Sequence, residues 1–343
     1  MEDTISDIAV AVPDKLPTKS VAKTATALIS VVFSFRNEAE VIPELVRRTV
    51  AILEPLVRYE LIFVNDASTD ASLEILTMLR ETNENIKILN MSRRFGVTPC
   101  VIAGMAEAKG DAVIYMDADL QDPPELIREL IRRWEEGAEV VHTVRTKRHG
   151  ESMMKMWFTK LAYKMINAFS DIDFYENAGD FKLLSRRAVA EIVKLNEHDP
   201  YLRGLSVWIG FQQAMLRYER DARFSGQSKF GLFRSVNPYK EFIRGITSFS
   251  ASPLYFALIL GFLVALTSFI ILGHVVVTKI MGVNMPGWTA IMAAILFLSG
   301  VILFTIGIVG VYLGRIYEQL RGRPRYIVDD KIGFDEARKA KSA

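Results

Sequence analysis

From Ala27 to about Ala222, short apolar runs of strand length alternate with stretches whose apolar residues recur at helical spacing. That alternation is the pattern of an α/β domain on a mainly parallel sheet, because each parallel strand needs a crossover before the next can join it. Strands are expected at Leu28 to Phe33, Leu61 to Val64, Ile86 to Leu89 and Ala112 to Met116. Helices are expected between them at Val41 to Val57, Leu73 to Arg80 and Pro99 to Ala108, the last with Thr98 as its cap and proline at its first position.

The pattern changes late in the chain. Val236, Tyr239, Phe242, Ile243, Ile246 and Phe249 form an apolar stripe at helical spacing, as expected of a helix lying in a membrane interface. Pro253 to Val277 then has no acidic or basic side chain except His274, and Trp288 to Gly314 has none, so each run is long enough to cross a bilayer. The expected organisation is a flexible tail over 1–26, an α/β domain over 27–232, an amphipathic juxtamembrane helix over 233–252, two transmembrane helices over 253–314 and a cytoplasmic tail over 315–343. Lys229, Arg234, Lys240 and Arg244 precede the first span and Arg315, Arg321, Arg323 and Arg325 follow the second, whereas the connecting loop holds only Lys279. The positive-inside rule then puts the α/β domain and both termini on the cytoplasmic side of the cell (inner) membrane. Gly310 and Gly314 are spaced for close helix approach, which leaves room for a homo-oligomer.

Charge and cysteine usage narrow the classes. With 42 basic residues against 40 acidic ones and a net charge of +2, a general nucleic-acid binder is excluded. The single cysteine, Cys100, cannot form an internal disulfide, which fits a reducing compartment.

The candidate chemistry lies where the expected strands end. Ligands of open α/β sheets bind beyond the carboxyl ends of the strands, and three polar clusters fall there: Arg36-Asn37-Glu38, Asn65-Asp66 and Asp117-Ala118-Asp119. Two carboxylates one residue apart can aim oxygens at a divalent cation, and such a cation can hold a diphosphate. No G-x-G-x-x-G follows a strand and no G-x-x-x-x-G-K-[ST] occurs, so the dinucleotide and P-loop readings lose their support. Arg220, Arg223 and Lys229 can grip phosphate, or form a juxtamembrane patch attracted to anionic lipid. The four histidines show no ligand spacing.

Asp117-Ala118-Asp119-Leu120-Gln121-Asp122-Pro123-Pro124, Ala178-Gly179-Asp180-Phe181 and the Arg220 to Lys229 block followed by two spans together resemble glycosyltransferase family 2, and within it the polyprenyl-phosphate glycosyltransferases of the bactoprenol glucosyltransferase and dolichol-phosphate mannose synthase kind. The resemblance runs from about Ile29 to Val328. It implies a GT-A (Rossmann-like) fold and an inverting transfer of a hexose from a nucleotide diphosphate sugar donor to a polyprenyl phosphate acceptor at the cytoplasmic face. UDP-glucose and undecaprenyl phosphate are the first expectation; mannose, an N-acetylhexosamine or aminoarabinose are the alternatives. Carried over by position, Asn37, Glu38 and Asp66 meet the donor, with Asp66 at the base. Asp117 and Asp119 hold Mg²⁺ or Mn²⁺ against the diphosphate, and Gln121 lies beside the sugar or the metal. Arg220, Arg223, Ser228 and Lys229 contact the acceptor phosphate or the diphosphate. Asp180 stands at the position of the catalytic base, so Asp180 and Asp119 are the expected catalytic residues.

This chain departs from the family pattern twice. Arg36 replaces an aromatic residue in Ser34-Phe35-Arg36-Asn37-Glu38, and Phe230 replaces a tyrosine after Ser228-Lys229. A guanidinium plane can still stack on a base, whereas the Phe230 position loses any hydroxyl contact. Two other classes compete. A processive polysaccharide synthase would need more spans and a Gln-x-x-Arg-Trp motif, neither of which is present. A non-catalytic membrane-anchored nucleotide-sugar sensor would not need the intact carboxylate pair.

Overall fold

The computed structural model describes residues 27–145, 175, 178–218, 245, 247–281 and 287–334. Four parallel strands come first: β1 (Leu28–Phe35), β2 (Arg58–Asn65), β3 (Ile86–Met91) and β4 (Ala112–Asp117). The helices α1 (Ile42–Leu53), α2 (Ser72–Thr82) and α3 (Val97–Glu107) connect them in turn. A short 3₁₀ turn (Pro124–Leu126), α4 (Ile127–Glu135), β5 (Val140–Arg145), β6 (Ala178–Ser185), α5 (Arg186–Lys194), α6 (Leu202–Trp208) and β7 (Gln213–Tyr218) follow. Two long helices, α7 (Ser252–Ile280) and α8 (Trp288–Leu320), and a last strand, β8 (Val328–Ile332), complete the described chain.

The eight strands form one sheet in the order β7-β5-β6-β4-β1-β2-β3-β8. β6 runs antiparallel to both of its neighbours, so the sheet is mixed: parallel through β4-β1-β2-β3 and reversed at β6 and β8. Strand alternation sorts the core into two layers. Val31, Phe33, Ile114, Met116 and Leu183 face a cluster with Leu45, Leu76 and Leu130, while Val32, Val113, Tyr115 and Leu184 face one with Ile102, Val189 and Leu202. On the second face α3 approaches closely through Gly104, where any Cβ would collide with Val32. The architecture is the GT-A, Rossmann-like arrangement expected.

Three local expectations are corrected. The first helix stops at Leu53 rather than Val57, because Pro55 offers no N–H; the chain closes there with Leu56 and Val57 donating to the Leu53 carbonyl. The third helix starts at Val97 after Gly96, whose φ of 96° suits glycine, so Thr98 is inside the helix rather than its cap. Residues 315–343 are not a tail throughout. α8 continues to Leu320, and Val328–Ile332 then pairs antiparallel with β3, burying that edge of the sheet. Lys331 reaches Glu107 at 2.6 Å, and Arg325 donates to the carbonyls of Leu195 (2.6 Å) and Val193 (3.0 Å).

The chain divides into two compact units, and the second consists of residues 164–171 and 236–323. Its helices α7 and α8, of 29 and 33 residues, are each long and apolar enough to cross a membrane. Apolar side chains such as Phe262, Phe269 and Leu303 stand exposed along them, as lipid-facing residues do. Within this unit the Tyr312 hydroxyl donates to the Ser250 carbonyl at 2.7 Å and Arg315 donates to Ser248 Oγ at 2.9 Å. The expected interface helix 233–252 lies mostly outside the described residues.

Candidate functional site

The loops after β1 and β2 are laced together. Asn37, in the left-handed region at φ 56°, donates its N–H to Ser68 Oγ (3.1 Å), while its side-chain oxygen accepts from the Thr69 N–H (2.8 Å). The N–H of Glu38 donates to Ser72 Oγ at 3.0 Å. Asp66 is buried at the end of β2, and its carboxylate accepts from the N–H groups of Phe95 (2.6 Å) and Gly96 (3.1 Å), fixing the entry to α3. Asn37, Glu38 and Asp66 thus share the edge on which β4 ends.

Asp117 closes β4 on that edge, and the chain turns through Ala118, Asp119 and Leu120, the last at φ 54°. Asp119 stabilises the turn by accepting from the Gln121 N–H at 3.2 Å. Asp122 anchors it from beneath: nearly fully buried, it accepts from Arg145 at 3.2 Å and from the Tyr218 hydroxyl, and Arg145 also donates to Tyr218 Oη at 3.1 Å. Arg145 and Tyr218 end β5 and β7, so two strand ends meet around one carboxylate. Gly179 makes room for this, since a Cβ there would lie 3.3 Å from Thr143 Oγ1 and 3.4 Å from Arg145 Nη2.

The reversed direction of β6 brings Asp180, near that strand's start, to the same edge. Both oxygens of Asp180 are held by Arg203 of α6, through Nε at 2.8 Å and through Nη2. This two-pronged geometry is the strong form of a carboxylate–guanidinium contact. Burial pushes the Asp180 carboxyl up, but Arg203, followed by Lys182 and Arg145, overrides it and holds the pKa at about 2. Asp117 responds in the opposite sense. Burial first, then the carboxylates of Asp180, Asp119 and Asp122, push it up to about 7, with Arg203 only partly opposing.

Among the described residues no group of three or more His, Cys, Asp or Glu side chains is placed to hold a metal ion. Asp117 and Asp119 are a pair, and a hard cation held there would complete its shell with oxygens from a ligand. The donor set fits such an ion, since it consists of carboxylates whose mutual repulsion a divalent charge would offset.

Asn37, Glu38, Asp66, Asp117, Asp119, Gln121 and Asp180 all belong to the loops and strand ends of this edge. Arg220, Arg223, Ser228 and Lys229 lie outside the described residues. Sequence reasoning missed Arg203, Arg145 and Asp122. Arg203 meets Asp180 across 23 positions, which no local spacing announces. A signal did exist for β6: Asp180 and Lys182 alternate with the apolar Phe181 and Leu183, which puts two charges on one buried face.

Residues 30–193 match the family model described as glycosyl transferase family 2. An uncharacterized glycosyltransferase of Synechocystis sp. is 40% identical over 312 residues, covering 90% of this chain and 97% of that protein. The uncharacterized glycosyltransferase YkcC of Bacillus subtilis is 39% identical, covering 90% and 95%. A prophage-derived bactoprenol glucosyl transferase of Shigella flexneri is 38% identical over 303 residues, covering 88% and 97%.

Proposed function

The chain belongs to glycosyltransferase family 2, and on that premise we propose that it transfers glucose from UDP-glucose to undecaprenyl phosphate, with inversion, at the cytoplasmic face of the cell membrane. The observation that supports this best is the shared edge. Asp117-Ala118-Asp119 and the Asp180–Arg203 pair occupy one side of a GT-A sheet, in a chain that goes on to two membrane-length helices. The near full-length likeness to bactoprenol glucosyl transferase supports glucose as the sugar and a polyprenyl phosphate as the lipid.

Asp117 and Asp119 would hold Mg²⁺ or Mn²⁺, which when bound offsets the charge that develops on the leaving nucleotide diphosphate. The protein's own contribution on the acceptor side follows from Asp180. A carboxyl held at about 2 is ionised near neutrality and is a weak proton acceptor. A phosphate monoester, with a second pKa of about 6, is already largely dianionic there and needs no strong base. Asp180 therefore orients Arg203, and Arg203 steadies an anionic oxygen for attack on the anomeric carbon opposite the leaving group. Arg220, Arg223, Ser228 and Lys229 bring the lipid phosphate in against the repulsion of two anionic substrates.

Purified full-length protein incubated with polyprenyl phosphate, Mg²⁺ and a panel of nucleotide sugars tests the assignment, with the lipid products weighed by mass spectrometry. A hexose-bearing lipid formed from UDP-glucose and from no other donor is expected; a product from another donor alone would replace glucose. Asp180→Asn should cut the rate at all pH values, and full rescue by raising pH would restore the general-base role.

A further inference from the structure

Behind the carboxylate rim the sheet buries a second polar row. Tyr115 on β4 and His142 on β5 are the register partners of Lys182 on β6, and all three are at most 1% exposed. Tyr115 and Lys182 lie two residues along their strands from Asp117 and Asp180, which returns their side chains to the same face. The row thus forms the floor beneath the carboxylates.

Lys182 is the member that fold stability does not explain. Its ammonium donates to Ser206 Oγ at 2.7 Å, and among the described residues no carboxylate pairs with it within ion-pair distance. A fully buried charge with a neutral partner is unfavourable, and apolar side chains of similar volume often replace buried charges at no loss or with a gain. The neighbours sharpen this. Burial pulls the Lys182 pKa down to about 7 and Arg203 acts in the same direction, whereas the Asp180 carboxylate favours the charged form. His142 sits beside it without offering a negative charge; its Nε2 meets Gln213 Oε1 at 2.8 Å, and burial favours its neutral form.

What Lys182 does reach is the helix that supplies the rim cation. Ser206 Oγ, having accepted from Lys182, donates to the Arg203 carbonyl at 3.0 Å. Arg203 in turn holds both oxygens of Asp180. Asp180 and Lys182 stand two residues apart on β6, so the path from Lys182 through Ser206, Arg203 and Asp180 closes into a ring. α6 has only seven residues and no side-chain hydrogen bond caps its start, so the Lys182–Ser206 hydrogen bond adds a tether that ties this short helix to β6.

Resting on the assignment of Asp180 and Arg203 to the transfer step, we propose that Lys182 is a positioning residue: from inside the sheet it fixes α6 through Ser206 and thereby sets the Arg203–Asp180 pair in the geometry that receives the acceptor phosphate. Lys182 touches no substrate in this role.

The test uses the full-length protein in detergent, with Lys182→Met and Ser206→Ala measured for Tm, UDP binding, and kcat and KM for UDP-glucose and polyprenyl phosphate. Lys182→Met is expected to keep or raise Tm and to keep UDP binding, yet to lower kcat by about 10-fold or more, in the range seen when supporting partners of a site are removed. The KM for UDP-glucose should change little, and Ser206→Ala should move kcat in the same direction by a smaller factor. Unchanged kcat per folded Lys182→Met protein would overturn the proposal. If Lys182→Met does not fold, Ser206→Ala decides: a lower kcat at unchanged Tm supports the proposal and an unchanged kcat overturns it. Asp180→Asn separates the two readings. Wild-type transfer by that variant would remove the premise, whereas its inactivity beside wild-type kcat in Lys182→Met would remove only the role of Lys182.

Discussion

Asp117 ends β4 beside the carboxylates of Asp180, Asp119 and Asp122, and burial together with that company raises its pKa to about 7. The linkage has a definite sign. A carboxyl whose folded pKa lies above its unfolded value binds a proton more tightly when folded, so its contribution to stability is full below about 4 and is lost as pH rises towards 7. Without divalent cation, Asp117→Asn should therefore raise Tm more at pH 8 than at pH 5, because asparagine mimics the neutral form. Equal shifts at both pH values would contradict the charge balance described here. Arg203→Ala carries a related expectation: kcat should fall by about 100-fold, as when one donor at a developing or attacking oxyanion is removed, with UDP binding retained. At this scale the carboxylates were legible because strand-end motifs carry them. Arg203, Arg145 and Lys182 were not, because their partners come from elements far apart in sequence: Arg203 and Lys182 connect the reversed strand β6 with α6, and Arg145 meets Asp122 after β4 and Tyr218 on β7.

The strand β8 is the element whose position the sequence concealed. Val328-Asp329-Asp330-Lys331-Ile332 is short and charged, a pattern that reads as tail, yet it covers the outer edge of β3. Such charge is usual on edge strands, where it discourages pairing with other chains, and only the partner strand reveals the pairing. The first four strands were legible because apolar runs buried on both faces leave a continuous signal. The end of α1 and the start of α3 were set by Pro55 and Gly96 rather than by periodicity. Arg325 ties the returning chain to the end of α5 through two backbone carbonyls. Arg325→Ala should lower the stability of the α/β unit by about 1.5–3 kcal/mol, the usual range for hydrogen bonds made by charged groups, read as a shift in denaturation midpoint. No shift would show that β8 docks independently of that contact.

For the whole molecule, the chain leaves the sheet before α7 and rejoins it after α8. Because both ends belong to one sheet, two membrane-spanning helices between them would return the chain to the side it left. This agrees with the distribution of basic residues around the spans. Cys100 is buried and its thiol pKa is pushed up by burial, so it should resist maleimide labelling. Asn284→Cys, between the helices, should therefore be labelled in intact cells by an impermeant maleimide, whereas Ser342→Cys, next to the last residue of the chain, should be labelled only after lysis. The reverse pattern would invert the topology.

The central claim is that the edge bearing Asp117, Asp119 and the Asp180–Arg203 pair moves glucose onto a lipid phosphate. The most direct measurement compares wild type and Asp117→Asn, as purified full-length proteins of equal folded content, for transfer of glucose from UDP-glucose to polyprenyl phosphate. Wild type should add one hexose to the lipid, and Asp117→Asn should add none. Wild-type rates from Asp117→Asn, or the absence of glycosylated lipid from wild-type protein that still binds UDP, would contradict the account.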